Sequence, residues 1–201
     1  MKDVIEIGSR YMGIGETGRK QLIEYYNENC FPLVDPQRRY RMGLKDNWCA
    51  MFTSVIAHMA GATPETFPFE VSVYYQYMGA KRLGMVDDSP RFLRRGDMVI
   101  YNWGVRGGYN HVGFVESTVD DRLNVLEGNY NGTVGIRNVA RSSATLQGFV
   151  LVDREPMKGD LSRLYDLAHR VLRGEFGNGS DRVKALGNDY PAVQEIINNM
   201  G

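Results

Sequence analysis

The period of the hydrophobic pattern changes near Gly96, and this change restricts the chain to few folds. Before Gly96, apolar residues recur at spacings of three and four, most clearly between Asp46 and Gly61, as is typical of buried helices. After it they form short alternating or continuous runs, separated by turns rich in Gly, Asn and Asp. Helices followed by an antiparallel meander predict one α+β domain of about 150 residues.

Individual elements can be assigned along this domain. Helices are expected at Val4 to Tyr11 and at Val71 to Leu83 in addition to the stretch after Asp46. Residues 19–46 are polar and contain two prolines, so they predict an irregular loop arm. Five strands are predicted at 97–101, 111–117, 123–127, 134–139 and 148–152.

Cys49 lies at the start of the helical stripe. Unpaired N–H groups at a helix N-terminus carry partial positive charge, which favours the thiolate form of a cysteine there. A buried cysteine is nevertheless more often one more small apolar residue. Whether Cys49 is a nucleophile therefore depends on a base elsewhere in the chain.

His111 is the candidate base. It opens a predicted strand directly after a glycine-rich turn, and the next strand ends in Glu127-Gly128-Asn129, so that either Glu127 or Asn129 is placed to orient the imidazole. A nucleophile on a helix N-terminus, a base on one strand and an orienting group on the next are typical of cysteine acyl transfer. In that chemistry the thiolate attacks a carbonyl, the imidazolium protonates the leaving amine and water releases the acyl-enzyme. The backbone N–H of Cys49 is expected to help stabilise the oxyanion.

Composition limits the partners and the compartment. The 24 basic and 24 acidic side chains cancel, so no overall charge favours nucleic acid or an anionic membrane. No apolar run approaches the roughly 18 residues of a membrane span, and Met1–Arg10 lacks the apolar core of a secretory signal. Cys30 and Cys49 are expected to be free thiols. The spacing of His and Cys matches no zinc motif, and neither a metal nor a cofactor is expected.

A second module follows the α+β domain. Residues 154–159 are charged, contain Pro156 and predict a linker after a domain that covers 1–153. Residues 160–201 have a purely helical pattern in three short segments, which predicts a small three-helix bundle.

The motifs of the first domain resemble the CHAP family of cysteine peptidoglycan amidases and endopeptidases. The resemblance covers residues 1 to about 153 and rests on Trp48-Cys49-Ala50-x-Phe52-x-Ser54, His111-Val112-Gly113 and Glu127-Gly128-Asn129 in this order. It implies a papain-like fold, Cys49 as nucleophile, His111 as base, and Glu127 with Asn129 as orienting or oxyanion groups. Some CHAP domains bind calcium through acidic residues around the nucleophile, but here Asp46 stands alone among Tyr40, Met42, Leu44 and Met51.

Residues 160–200 are similar to the Cpl-7 type of cell-wall-binding repeat. The similarity rests on Gly174-x-Phe176-Gly177-Asn178-Gly179-x-x-Arg182 and on the later run from Leu186 to Asn198. It implies a three-helix bundle that binds the muropeptide unit, with Asn178, Arg182 and Tyr190 as candidate contacts. A tight turn and a packing role would account equally for Asn178 and Tyr190, whereas Arg182 is suited to a carboxylate or carbonyl.

Together the two resemblances imply a lysin of phage type with bacterial peptidoglycan as its partner. We expect synthesis in the host cytoplasm without a signal peptide and action at the wall after release, with no membrane insertion. The motifs do not separate an N-acetylmuramoyl-L-alanine amidase from a peptide endopeptidase. A tail-associated or bacterial enzyme and a non-catalytic wall-binding scaffold are the alternatives. A single repeat also suggests self-association or extra copies of the wall-binding module.

Overall fold

The computed structural model describes residues 1–87, 93–104, 108–152 and 160–198. They fall into two compact units, Met1–Asp153 and Arg154–Gly201. The predicted linker at 154–159 and the last three residues of the chain lie outside the described residues.

In its described residues, the first unit has four α-helices, and the third forms its centre. Every residue of that helix from Cys49 to Ala57 is buried, as expected for a helix that is apolar on all sides. The helices are α1 (Val4–Ser9), α2 (Glu16–Tyr25), α3 (Cys49–Met59) and α4 (Val73–Arg82).

The prediction of a loop arm from residue 19 onward was wrong for its first part. Helix α2 occupies Glu16–Tyr25 and continues through a π-helical turn, Tyr26–Cys30, and a 3-10 turn, Phe31–Leu33. Leu22, Ile23, Tyr26 and Cys30 face the core at helical spacings and are buried. Charged residues on the outer face of α2 separate these apolar residues, so their helical spacing is hard to recognise in the sequence. The two prolines come only after α2 has ended.

A six-stranded antiparallel sheet completes the first unit. Its order is β1-β6-β2-β3-β4-β5. The five predicted strands are present, but the last one pairs with β2 instead of extending the meander. The two-residue strand β1 was not predicted, because it is too short to show alternation. The strands are β1 (Val86–Asp87), β2 (Met98–Tyr101), β3 (His111–Val119), β4 (Arg122–Tyr130), β5 (Thr133–Ala140) and β6 (Leu146–Val150).

The alternation of side chains divides the core into two clusters. Met98, Ile100 and Phe114 belong to the larger cluster, which the helices cover, whereas Val99 and Val115 belong to a second cluster. Helix α3 packs against β3 and β4. The nucleophile candidate is therefore carried by the helix that crosses the two strands bearing His111 and Glu127.

The second unit contains three helices, α5 (Asp160–Leu172), α6 (Ser180–Leu186) and α7 (Tyr190–Asn198), with a 3-10 turn at Gly187–Asp189. Its core consists of Ala168, Val171, Leu186 and Val193. The α+β class and the helical C-terminal part are thus as predicted.

Among the described helices of both units, none is long and apolar enough to cross a membrane.

Candidate active site

Cys49 is the first residue of α3, and its side chain is almost completely buried. The preceding Trp48 is fully buried and packs edge-on against Phe52, with ring centroids 6.3 Å apart. None of the described side chains caps this end of α3. The first N–H groups of the helix therefore remain available beside the thiol. Both Cys49 and Cys30 are free thiols.

His111 is the first residue of β3 and lies opposite Tyr101 on β2. Only 4% of His111 is exposed. Its Nε2 atom lies 2.9 Å from Oε2 of Glu127. At this distance the two side chains form an ion pair when the imidazole is protonated.

The surroundings of His111 favour its charged form. Burial by itself lowers the pKa of the imidazole, but the interactions with Cys49 and with Glu127 outweigh it and raise the pKa to about 9. Imidazolium is therefore the form expected at neutral pH.

Glu127 lies on β4 between two basic side chains. It is fully buried, and Nε of Arg137 on β5 donates to both Oε1 and Oε2 at 2.9 Å. The same carboxylate thus contacts Arg137 on one side and His111 on the other. Gly113 makes room for it, since a Cβ there would lie 2.7 Å from Cγ of Glu127.

Aromatic rings surround these charges. Trp103 stacks on His111, with centroids 4.6 Å apart and planes at 27°. The guanidinium of Arg137 lies 4.8 Å from the centroid of Trp103 and 5.0 Å from that of Tyr130. Trp103 is 45% exposed, so it forms part of the solvent-facing border of the site. The sequence did not identify Trp103 or Arg137, because the strand register that brings them to His111 and Glu127 is not visible in a local pattern.

Asn129 occupies a different place from the one predicted for an orienting group. Its Nδ2 donates to Oδ1 of Asn47 at 3.2 Å, two residues before Cys49. The register of β4 with β5 shifts between Glu127 and Tyr130, and Asn129 adopts a left-handed backbone with φ 59°. This irregularity turns Asn129 out of the strand alternation. The structure therefore brings Glu127, and not Asn129, into contact with His111.

The residues near Cys49 do not fit a calcium site. The carboxylate of Asp46 accepts hydrogen bonds from Gly43 N at 2.8 Å and from Tyr40 Oη at 3.2 Å. Asp46 thus closes a turn within the loop. Within the described ranges, no group of three or more His, Cys, Asp or Glu side chains is arranged to hold a metal ion.

The candidate wall-binding residues lie in two places of the second unit. Nη2 of Arg182 donates to Oδ1 of Asn178 at 3.0 Å and to the carbonyl of Gly177 at 3.3 Å. The guanidinium is therefore directed toward the turn that contains Asn178. Tyr190 is partly buried and packs against the small core, which agrees with the packing role that was its alternative.

Comparisons with known families match both units. A CHAP domain model matches residues 24–129, just over half of the chain. A CW_7 repeat model matches residues 165–200, which corresponds to the predicted Cpl-7 type repeat. No curated protein and no solved structure matches the chain.

The CHAP match includes Cys49, His111 and Glu127, and the repeat match lies in the second unit. The protein is a peptidoglycan hydrolase with a cell-wall-binding repeat. By the length of the match, the chain belongs to the CHAP family.

Proposed function

We propose that this protein cleaves an amide bond of bacterial peptidoglycan, with Cys49 as the nucleophile, His111 as the general acid and base, and Glu127 as the orienting group. The observation that carries the proposal is the short contact between Nε2 of His111 and the buried carboxylate of Glu127. An imidazole held in this way on one nitrogen has its other nitrogen, Nδ1, available to the thiol of Cys49.

The reaction proceeds in two halves. In the first, the sulfur of Cys49 forms a bond to the amide carbon, and the carbonyl electrons move to oxygen. The N–H of Cys49, at the uncapped start of α3, donates to this oxyanion. The C–N bond then breaks as the imidazolium of His111 gives its proton to the leaving nitrogen.

In the second half, neutral His111 removes a proton from water. The resulting hydroxide adds to the thioester carbon, and the C–S bond breaks to release thiolate and a carboxylic acid, which gives its proton to the released amine through solvent. Glu127 stabilises the imidazolium that forms in this half as well. Asn129 donates to Asn47, holds the segment before Cys49 and serves as a second oxyanion donor.

The two modules have separate roles, catalysis and attachment. Residues 1–153 carry out the reaction, and residues 160–201 hold the enzyme at the wall through Arg182. Its guanidinium is held by Asn178, and Tyr190 packs against the core of this unit. Because the repeat raises the local concentration of cleavable bonds, weak binding by one repeat is sufficient to affect the rate on walls.

Mass spectrometry of digested, purified peptidoglycan tests the proposal. A new free N-terminal alanine on the stem peptide identifies an amidase, and cleaved stems or cross-bridges identify an endopeptidase. The Cys49→Ala protein serves as the control for each product. If wild type releases no soluble product, the chain is a wall-binding scaffold and the proposed chemistry is wrong.

A further inference from the structure

We propose that Arg137 is a positioning residue that acts on the reaction through Glu127. This inference rests on the proposed function, because it assigns to Arg137 the task of fixing the carboxylate that orients His111. Nothing in the sequence motifs around Cys49, His111 or Glu127 points to Arg137.

Arg137 and His111 both contact the carboxylate of Glu127. Oε2 of Glu127 lies 2.9 Å both from Nε of Arg137 and from Nε2 of His111. A carboxylate without any exposed surface is costly to keep charged unless a cation pairs with it. Arg137 supplies that cation independently of the protonation state of His111. Glu127 therefore keeps a cationic partner during the step in which His111 is neutral.

The sheet register explains how Arg137 reaches this place. Glu127 lies opposite Gly135, and Arg137 lies two residues further along β5. Side chains in such diagonal positions are within reach when one of them is long. Gly135 has no side chain, so nothing on β5 directly opposite Glu127 competes for the space.

Aromatic rings limit the movement of the guanidinium. It lies 4.8 Å from the ring centroid of Trp103, 5.0 Å from that of Tyr130 and 6.0 Å from that of Tyr101. A planar guanidinium is attracted to such ring faces. A lysine would keep the charge but lose the planar group that contacts the rings, so Arg137→Lys is a suitable conservative variant.

A direct contact with substrate is the competing role for Arg137. Its side chain is 31% exposed, and in the described part of the chain its hydrogen bonds to Glu127 come from Nε alone. The experiment must therefore separate an effect through Glu127 from an effect on substrate binding.

A double-mutant cycle on the full-length protein makes this separation. The variants are Arg137→Met, Glu127→Gln and the double variant, and the assay measures kcat and KM for release of free amino groups from purified peptidoglycan. We expect Arg137→Met to lower kcat by about 100-fold with little change in KM, because a misplaced orienting group affects the reacting geometry. In the Glu127→Gln background the same change should lower kcat by less than about threefold, since its target is already gone.

Two further variants serve as a control and as a replacement in the double-mutant cycle. Arg122→Met, at the exposed first position of β4, removes an arginine that contacts Asn138 and not Glu127, and it should keep wild-type kcat. Arg137→Lys should retain part of the activity that Arg137→Met loses, and it replaces Arg137→Met in the cycle if the latter does not fold. A fully additive cycle, or a rise in KM with unchanged kcat, would overturn the proposal in favour of a substrate contact. Activity remaining in Cys49→Ala would instead refute the proposed function itself.

Discussion

The Nε2 atom of His111 lies 2.9 Å from Oε2 of Glu127, and both side chains are almost wholly buried. The two residues lie on neighbouring strands, and Gly113, two residues after His111 on β3, leaves room for the side chain of Glu127. This contact acts together with that of Cys49 to raise the pKa of the imidazole.

Replacing Cys49 should abolish hydrolysis without unfolding the protein. Cys49→Ala removes the nucleophile and little volume, so circular dichroism and the melting temperature should change little while amino-group release falls to background. Iodoacetamide should inactivate the wild type in the same way.

Cys30→Ser is the matched control for this change. Burial raises the pKa of the Cys30 thiol to about 12, so Cys30 stays protonated and unreactive at neutral pH. The variant should keep its activity and its sensitivity to iodoacetamide. A Cys49→Ala protein that lyses walls at near wild-type rate would contradict the assignment of the nucleophile.

The rate should fall on the alkaline side of about pH 9. The pKa of His111 is raised from 6.5 to about 9, so the imidazolium that protonates the leaving amine is present below this pH and is lost above it. Glu127→Gln removes one of the interactions that raise the pKa, and should therefore move the alkaline limb of kcat/KM to lower pH. It should also reduce kcat by about 10²- to 10⁴-fold.

Asn129→Ala is the control for the orienting role. Asn129 bonds Asn47 and not His111, so its loss should leave the alkaline limb in place and lower kcat less than Glu127→Gln does. The reverse ranking of the two variants would assign the orienting role to Asn129.

Gly113→Ala should damage both stability and turnover. The added Cβ would lie 2.7 Å from Cγ of Glu127 and 2.8 Å from the carbonyl oxygen of Leu126, and the backbone oxygen cannot move cheaply. We expect a loss of about 1–3 kcal/mol in the free energy of unfolding together with a lower kcat. Gly15→Ala, where a Cβ meets no atom within 4 Å, should change neither by much. Wild-type kcat in Gly113→Ala would mean that Glu127 needs no fixed position.

Chelators should spare the activity. The carboxylate of Asp46 is engaged by Gly43 N and Tyr40 Oη, and the positions around Cys49 that would supply further calcium ligands are apolar or aromatic. Rates of wall lysis in EDTA and in added calcium should agree within error. Loss of activity in EDTA with recovery on adding calcium would show that ligands lie elsewhere.

The C-terminal module should be needed for activity on intact walls but not for the reaction itself. A chain truncated after Asp153 should cleave small soluble muropeptides at near wild-type rate, yet lose much of its activity on intact walls. Circular dichroism of the truncated chain establishes whether it folds. An equal loss on soluble and insoluble substrates would mean that the module supports the catalytic unit and not its attachment.

Arg182→Ala should weaken attachment without unfolding the module. Sedimentation with purified walls, in the Cys49→Ala background so that the walls stay intact, measures it as a loss of up to about tenfold in affinity. Arg173→Ala removes a neighbouring arginine that pairs with Glu175 and should bind as before. Equal retention of both variants would return Arg182 to a structural role in the turn at Asn178.

Local sequence patterns alone predicted most of the secondary structure and the fold class of this protein. Hydrophobic periodicity is a local signal, because it records which residues of one element are buried. The helical stripe after Cys49 therefore predicted α3, and the alternating runs after Gly96 predicted the strands and the α+β class. The positions of Cys49 at a helix start and of His111 at a strand start follow from the same patterns. Charged residues on the outer face of α2 interrupt its apolar pattern, so the sequence did not predict this helix.

The tertiary structure decided the relations between strands. A shift of register after Glu127 places Asn129 against Asn47 and leaves Glu127 against His111. Two polar residues separated by one glycine in the sequence do not reveal which of them contacts the imidazole. The register of β4 with β5 brings Arg137 to the carboxylate, and the loop after β2 brings Trp103 onto the imidazole. Such contacts join residues that are distant in sequence, and their energies depend on distances and burial that exist only after the sheet has formed.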